Sequence, residues 1–110
     1  MQINVEIEER VLREIYLKVF EIAVRKGKPD AVMCAYNKLN AIWCSENPFL
    51  LDQILRKEWG FEGLMVSDWG AVHDAARAVM AGMDLIMPHR DTVFQEIREG
   101  LENGKVTREA

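Results

Sequence analysis

The sequence has 110 residues, 49% of them hydrophobic and 29% charged, with a formal net charge of −4. That composition excludes a disordered tail, a collagen-like repeat and a disulfide scaffold, and the length holds one domain but not a complete (β/α)8 barrel of roughly 250 residues. Carboxylates outnumber the scattered basic residues 18 to 14, which argues against a nucleic-acid partner. No stretch approaches the roughly 20 apolar residues of a membrane span, so no membrane partner is expected.

Asn4 to Lys26 reads as a helix. Asn4 is the expected N-cap, Glu6, Glu8 and Glu9 sit where the helix dipole favours negative charge, and Gly27 and Pro29 end the run. Leu12, Ile15, Val19, Ile22 and Ala23 form one apolar stripe at helical spacing. Ala31-Val32-Met33-Cys34-Ala35 is an uninterrupted apolar run, as in a strand buried on both faces. A loop from Asn37 to Glu46 follows. Asn47 is then placed to cap a second helix with Pro48 at its first position and Gly60 at its end. Leu64 to Ser67 is the second strand, Asp74 to Ala81 the third helix, closed by Gly82, and Asp84 to Met87 the third strand, stopped by Pro88. Asp91 is the expected cap of a last helix running through about Leu101.

The order α-β-α-β-α-β-α predicts an α/β fold of three parallel strands alternating with four helices, residues 1–110 forming a single unit. So small a sheet exposes its edges, and self-association through them is the partner reading that follows. Met33, Met65, Met80, Met83 and Met87 fall in apolar runs and are expected in the core.

In parallel α/β architectures ligands bind beyond the carboxyl ends of the strands. Those ends are Tyr36-Asn37, Asp68-Trp69-Gly70 and Pro88-His89. Asp68 is an acid placed directly after a buried strand, so the sheet can hold its carboxylate towards a cleft. Trp69 offers a flat apolar face of the kind sugar rings stack upon. The plainer reading of Asp68 is a turn former or helix cap.

The ordered series Val32-Met33-Cys34-Ala35-Tyr36-Asn37-Lys38-Leu39-Asn40, Ser45-Glu46-Asn47, Leu55 to Ala71 with its Ser67-Asp68-Trp69, and Ala81 to Pro88 resembles the N-terminal catalytic domain of glycoside hydrolase family three β-glucosidases. Nearly the whole chain takes part. The resemblance implies part of a (β/α)8 barrel, three units of eight, and a retaining hydrolysis of terminal β-linked glucosyl or related residues. It places the catalytic nucleophile at Asp68, an aromatic wall of the sugar cleft at Trp69 and a residue near the nucleophile at Tyr36. Tyr36 reads either as a hydrogen-bonding partner that orients the carboxylate or as a packing residue. Retaining chemistry needs a second carboxyl group, the general acid, about 5 Å from the first. In the family that residue, and most sugar-binding residues, come from elsewhere, so a fragment inactive by itself is expected. A β-glucoside or oligosaccharide is the implied substrate of the complete enzyme, with no cofactor.

Two positions depart from the family pattern. Ala41 stands where a glycine generally follows Asn40, and His89-Arg90 replaces small residues after Met87-Pro88. His73 with Asp74, and His89 with Asp91, lack partners at spacings that complete a metal site, so none is expected. Cys34 reads as a buried strand residue and Cys44 as a loop residue, too few for a disulfide framework. No apolar leader opens the chain, and localisation stays open between cytoplasmic and secreted. Glu46 is expected to support the helix start at Asn47. Two readings from other classes stand beside the glycosidase. One is a receiver-like phosphoacceptor domain, which lacks here the acidic pair that binds Mg²⁺. The other is a non-catalytic association module.

Overall fold

The computed structural model describes residues 3–110. Strand β1 (Asn4–Val5) leads into α1 (Glu9–Val11), a wide π-type turn over Leu12–Tyr16, and α2 (Lys18–Gly27). Lys28, at φ 47°, ends α2 in the left-handed conformation, with its N–H on the Val24 carbonyl. Strand β2 (Ala31–Cys34) follows at once.

The expected helix start at Asn4 is corrected. Asn4 lies in a strand that pairs in parallel with β3 (Lys38–Leu39), and its side-chain oxygen accepts from the Ala41 N–H at 2.8 Å. Asn40 bonds both the N–H and the carbonyl of Ile7, holding the chain off helical geometry until Glu9. The partner that makes Asn4 a strand residue is more than thirty positions away. The expected loop after Asn37 contains a hairpin, β3 against the antiparallel β4 (Ile42–Trp43), followed by a 3-10 turn over Cys44–Glu46.

The apolar stripe of the first helix is also split. Of its residues Leu12 is buried, whereas Ile15, Val19, Ile22 and Ala23 are exposed; Val24, outside the stripe, is buried instead. The Leu17 N–H bonds the Leu12 carbonyl five residues back, so the turn holds an extra residue and later side chains fall out of phase with Leu12.

The second helix runs as wide turns over Phe49–Glu58. Asn47 caps it through a bond from the Leu50 N–H to its side-chain oxygen, 3.2 Å, behind Pro48. Strand β5 (Leu64–Ser67) pairs in parallel with β2 in the register Ala31↔Leu64, Val32↔Met65, Met33↔Val66, Cys34↔Ser67. Helices α3 (Ala75–Ala81) and α4 (Thr92–Glu102) complete the chain. Gly82, at φ 115°, ends α3, as its position implies. Asp91 makes no capping bond at α4; its carboxylate faces the His89 ring instead.

The fold is α/β, but the third parallel strand is not observed. Between Asp84 and Met87 the pairing is reduced to one parallel bridge, Val66↔Leu85. A side chain explains the interruption: the Asp84 carboxylate takes the Met65 N–H at 2.8 Å, a donor that a neighbouring strand's carbonyl would otherwise accept. Arg56 holds that carboxylate at 2.6 Å.

Burial on both faces of the strands is corrected too. Met65, Ser67 and Cys34 face a core with Leu51, Leu55, Phe61, Ala78 and Met83, while Met33, Leu64 and Leu85 on the other face stay exposed. Of the methionines expected inside, Met65 and Met83 are buried, Met33 and Met80 are exposed, and Met87 is half-buried. The helices cover one face of the pair and leave the other apolar and open.

Candidate active site

Because Cys34 is opposite Ser67, the carboxyl ends of β2 and β5 are level, and the residues that follow them share one end of the sheet. Tyr36 follows β2 and Asp68 follows β5. The Asp68 carboxylate is half-buried and accepts the Trp69 N–H at 2.6 Å. The Tyr36 phenol donates to the Trp69 carbonyl at 2.5 Å. Burial and then the adjacent Asp68 carboxylate hold that phenol above its ordinary pKa, so it remains a neutral donor at physiological pH. Tyr36, Asp68 and Trp69 are therefore brought together at this end of the sheet. Trp69 is 64% exposed.

The loop after Asp68 is tied on two sides. Gly70, at φ 80°, lets the chain turn, and its N–H bonds the Met87 carbonyl at 2.9 Å. The Ala71 N–H closes the turn on the Asp68 carbonyl at 3.0 Å. Ser67, only 2% exposed, accepts the Met87 N–H at 2.8 Å and reaches the Met87 carbonyl at 3.2 Å. From the other side, buried Ser45 donates to the Ala71 carbonyl at 2.9 Å. The Glu46 carboxylate accepts the N–H groups of His73 and Asp74, each at 3.1 Å.

These contacts correct the reading of Glu46. It supports the start of α3, more than twenty-five residues downstream, rather than the adjacent helix at Asn47. Asp74 caps α3 through the Arg77 N–H at 3.2 Å, at the expected start of that helix. The roles of Ser45, Glu46 and Ser67 escaped sequence reasoning; the signal for the first two was the Ser-Glu-Asn triplet, read only for its local effect.

Among the described residues, no three His, Cys, Asp or Glu side chains converge as a metal site. His73 stacks on Trp43 with ring centroids 3.9 Å apart. His89 is exposed, and Arg90 pairs with Glu96 at 3.0 Å. Cys34 and Cys44 are free thiols and both are buried, Cys44 more deeply than a loop residue implies. Burial pushes the Cys44 thiol up to about 11 and raises that of Cys34, so neither is an ionised nucleophile at neutral pH.

Comparison with known proteins gives one consistent result. The model of the glycosyl hydrolase family 3 N-terminal domain matches residues 2–110. Thermostable beta-glucosidase B of Acetivibrio thermocellus is 47% identical over 108 residues, covering 97% of this chain. An exo-alpha-(1->6)-L-arabinopyranosidase of Bifidobacterium longum is 41% identical over 92% of it. The chain spans only 14% of the length of each of these relatives. Among solved structures, beta-glucosidase 3B of Thermotoga neapolitana, in complex with alpha-D-glucose, superposes with a TM-score of 0.91. It is 48% identical over 97% of this chain, which spans 16% of that one.

Proposed function

Since the chain belongs to glycosyl hydrolase family 3, through its N-terminal domain, we propose that it carries the nucleophile of a retaining β-glycosidase acting on terminal β-linked glucosyl or related residues. The carrying observation is the placement of Asp68: at the carboxyl end of β5, held by the Trp69 N–H, with the Tyr36 phenol beside it. In this reading the Asp68 carboxylate attacks the anomeric carbon as the leaving oxygen takes a proton from a general acid. Water then hydrolyses the glycosyl ester and restores the carboxylate. Tyr36 orients the carboxylate and its loop, and the exposed Trp69 ring lines the sugar cleft.

The general acid is not assigned to a residue of this chain. The groups gathered at Asp68 are a backbone N–H and a phenol, and retaining chemistry needs a second carboxyl about 5 Å away. The open apolar face bearing Met33, Leu64 and Leu85 supports reading the strands as an arc of a larger (β/α)8 barrel. These 110 residues alone are accordingly inactive. Family membership sets the receiver-like reading aside. Self-association of the isolated chain through its exposed strand edges stays the partner reading, and sedimentation as a stable monomer would argue against it.

The test replaces the matched span of the Thermotoga neapolitana enzyme with this chain. A 2-fluoro-glucoside should label Asp68, and Asp68→Asn should abolish turnover of an aryl β-glucoside, while the 110-residue chain alone shows none. Label on another residue, or turnover by the chain alone that is lost in Asp68→Asn, refutes the corresponding half of the proposal.

A further inference from the structure

Asp68 cannot be aimed by its own strand alone, because the backbone leaves β5 at Ser67 and turns through Gly70. What limits the carboxylate is how firmly residues 71–74, the far side of that turn, are held. One short segment, Trp43 to Glu46, holds three of them, Ala71, His73 and Asp74. The Ser45 hydroxyl, fully buried, donates to the Ala71 carbonyl. The Glu46 carboxylate, 7% exposed, accepts from the His73 and Asp74 N–H groups, and the Trp43 ring stacks on the His73 side chain.

The segment is itself fixed at both ends. Behind it, Trp43 pairs with Lys38 in the hairpin and the Cys44 N–H bonds the Asn37 carbonyl at 3.1 Å. Ahead of it, Asn47 starts the helix Phe49–Glu58. Tyr36 and Asn37 open the same stretch, so the residues that flank Asp68 from β2 and those that grip its loop belong to one continuous hydrogen-bonded segment. Glu46 gains twice: its acceptor bonds are charge-assisted, and its negative charge sits at the amino end of α3.

We infer that Ser45 and Glu46 are positioning residues for the Asp68 turn, forming a clasp that sets where the carboxylate meets the sugar. The inference rests on the reading of Asp68 as nucleophile. A residue that merely stabilised α3 would lower the unfolding midpoint and leave the properly folded enzyme as fast as before. A positioning residue lowers the rate of glycosylation in the fraction that stays folded.

Two measurements separate these. In the Thermotoga neapolitana enzyme carrying this chain, the trapping of Asp68 by a 2-fluoro-glucoside is followed in Glu46→Ala, Glu46→Gln and Ser45→Ala. Glu46→Ala should slow the maximal trapping rate about 100-fold, with the half-saturating concentration nearly unchanged, the effect expected of an ångström-scale misplacement. Glu46→Gln keeps an acceptor oxygen for both N–H groups and should restore the rate to within a few-fold of the parent. Ser45→Ala, losing one neutral bond, should fall between them. Trapping in Glu46→Ala at the parent rate overturns the clasp.

The second measurement does not depend on the nucleophile. In the 110-residue chain, amide hydrogen exchange across Trp69–Asp74 should quicken about tenfold in Glu46→Ala and little in Glu46→Gln. Unchanged exchange in Glu46→Ala overturns the clasp even if Asp68 is labelled. Quickened exchange with label on a residue other than Asp68 leaves a clasp on the loop but refutes its catalytic purpose and the nucleophile reading with it.

Discussion

Replacing Ser67 with alanine removes one oxygen from the last residue of β5 and, with it, the acceptor of the Met87 N–H. The Met87 carbonyl is less affected, because it also accepts the Gly70 N–H at 2.9 Å. The cost is therefore that of one unpaired backbone donor, about 1–3 kcal/mol when water cannot reach it. Met87 is half-buried rather than enclosed, which places the loss in the lower part of that range, about 1–1.5 kcal/mol. Urea unfolding followed by tryptophan fluorescence reads it directly. With a slope of about 1–3 kcal/mol/M, the midpoint should fall by roughly 0.3–1.5 M at unchanged slope. The same variant should loosen the Asp84–Met87 segment, which one bridge and this hydroxyl hold beside β5. A loss below about 0.3 kcal/mol, too small for an unpaired donor at a half-buried site, would refute the reasoning.

Two further outcomes follow from single residues. Ala41 sits at φ 70°, where a side chain costs about 1–2 kcal/mol and glycine nothing; the extra freedom of glycine in the unfolded chain returns about 0.4–1 kcal/mol. Ala41→Gly should thus raise stability by about 0.5–1 kcal/mol, because Ala41 is exposed and loses no packing, and a destabilised variant in the same urea assay would refute this. Glu58 takes two bonds from the Arg13 guanidinium, which hold its carboxyl below the ordinary range. The unfolded chain then binds a proton at higher pH than the folded one, so this contribution is complete above the ordinary glutamate pKa and is lost as pH falls through the depressed folded value. Glu58→Gln should be less stable than the parent at neutral pH, with the gap closing in acid; a gap independent of pH in thermal melts would exclude the pair as its source.

The local signals were read correctly where the chain's neighbours in sequence are also its neighbours in space. Asn47 and Pro48 start a helix, Asp74 caps α3, Gly82 ends it, and β2 and β5 lie where the apolar runs stand. The placement of Asp68 and Trp69 after β5 belongs to the same class, since a strand boundary is a local event. Ala41 was visible too: a residue standing where glycine generally occurs, and found at positive φ.

What the sequence determined by itself was the position of β2, β5 and the helices that follow them, together with the residues at the ends of those two strands. Only the tertiary structure decided what bonds to what across the chain. Asn4 became a strand residue because β3 and Ala41 lay within reach. The third strand shrank to a bridge because the Asp84 carboxylate claimed the Met65 N–H. Glu46 turned from its adjacent helix to α3, and Ser45 to Ala71. Propensity and periodicity act over a few residues, whereas a buried hydrogen-bonding group takes whichever partner the fold brings near, at whatever distance along the chain.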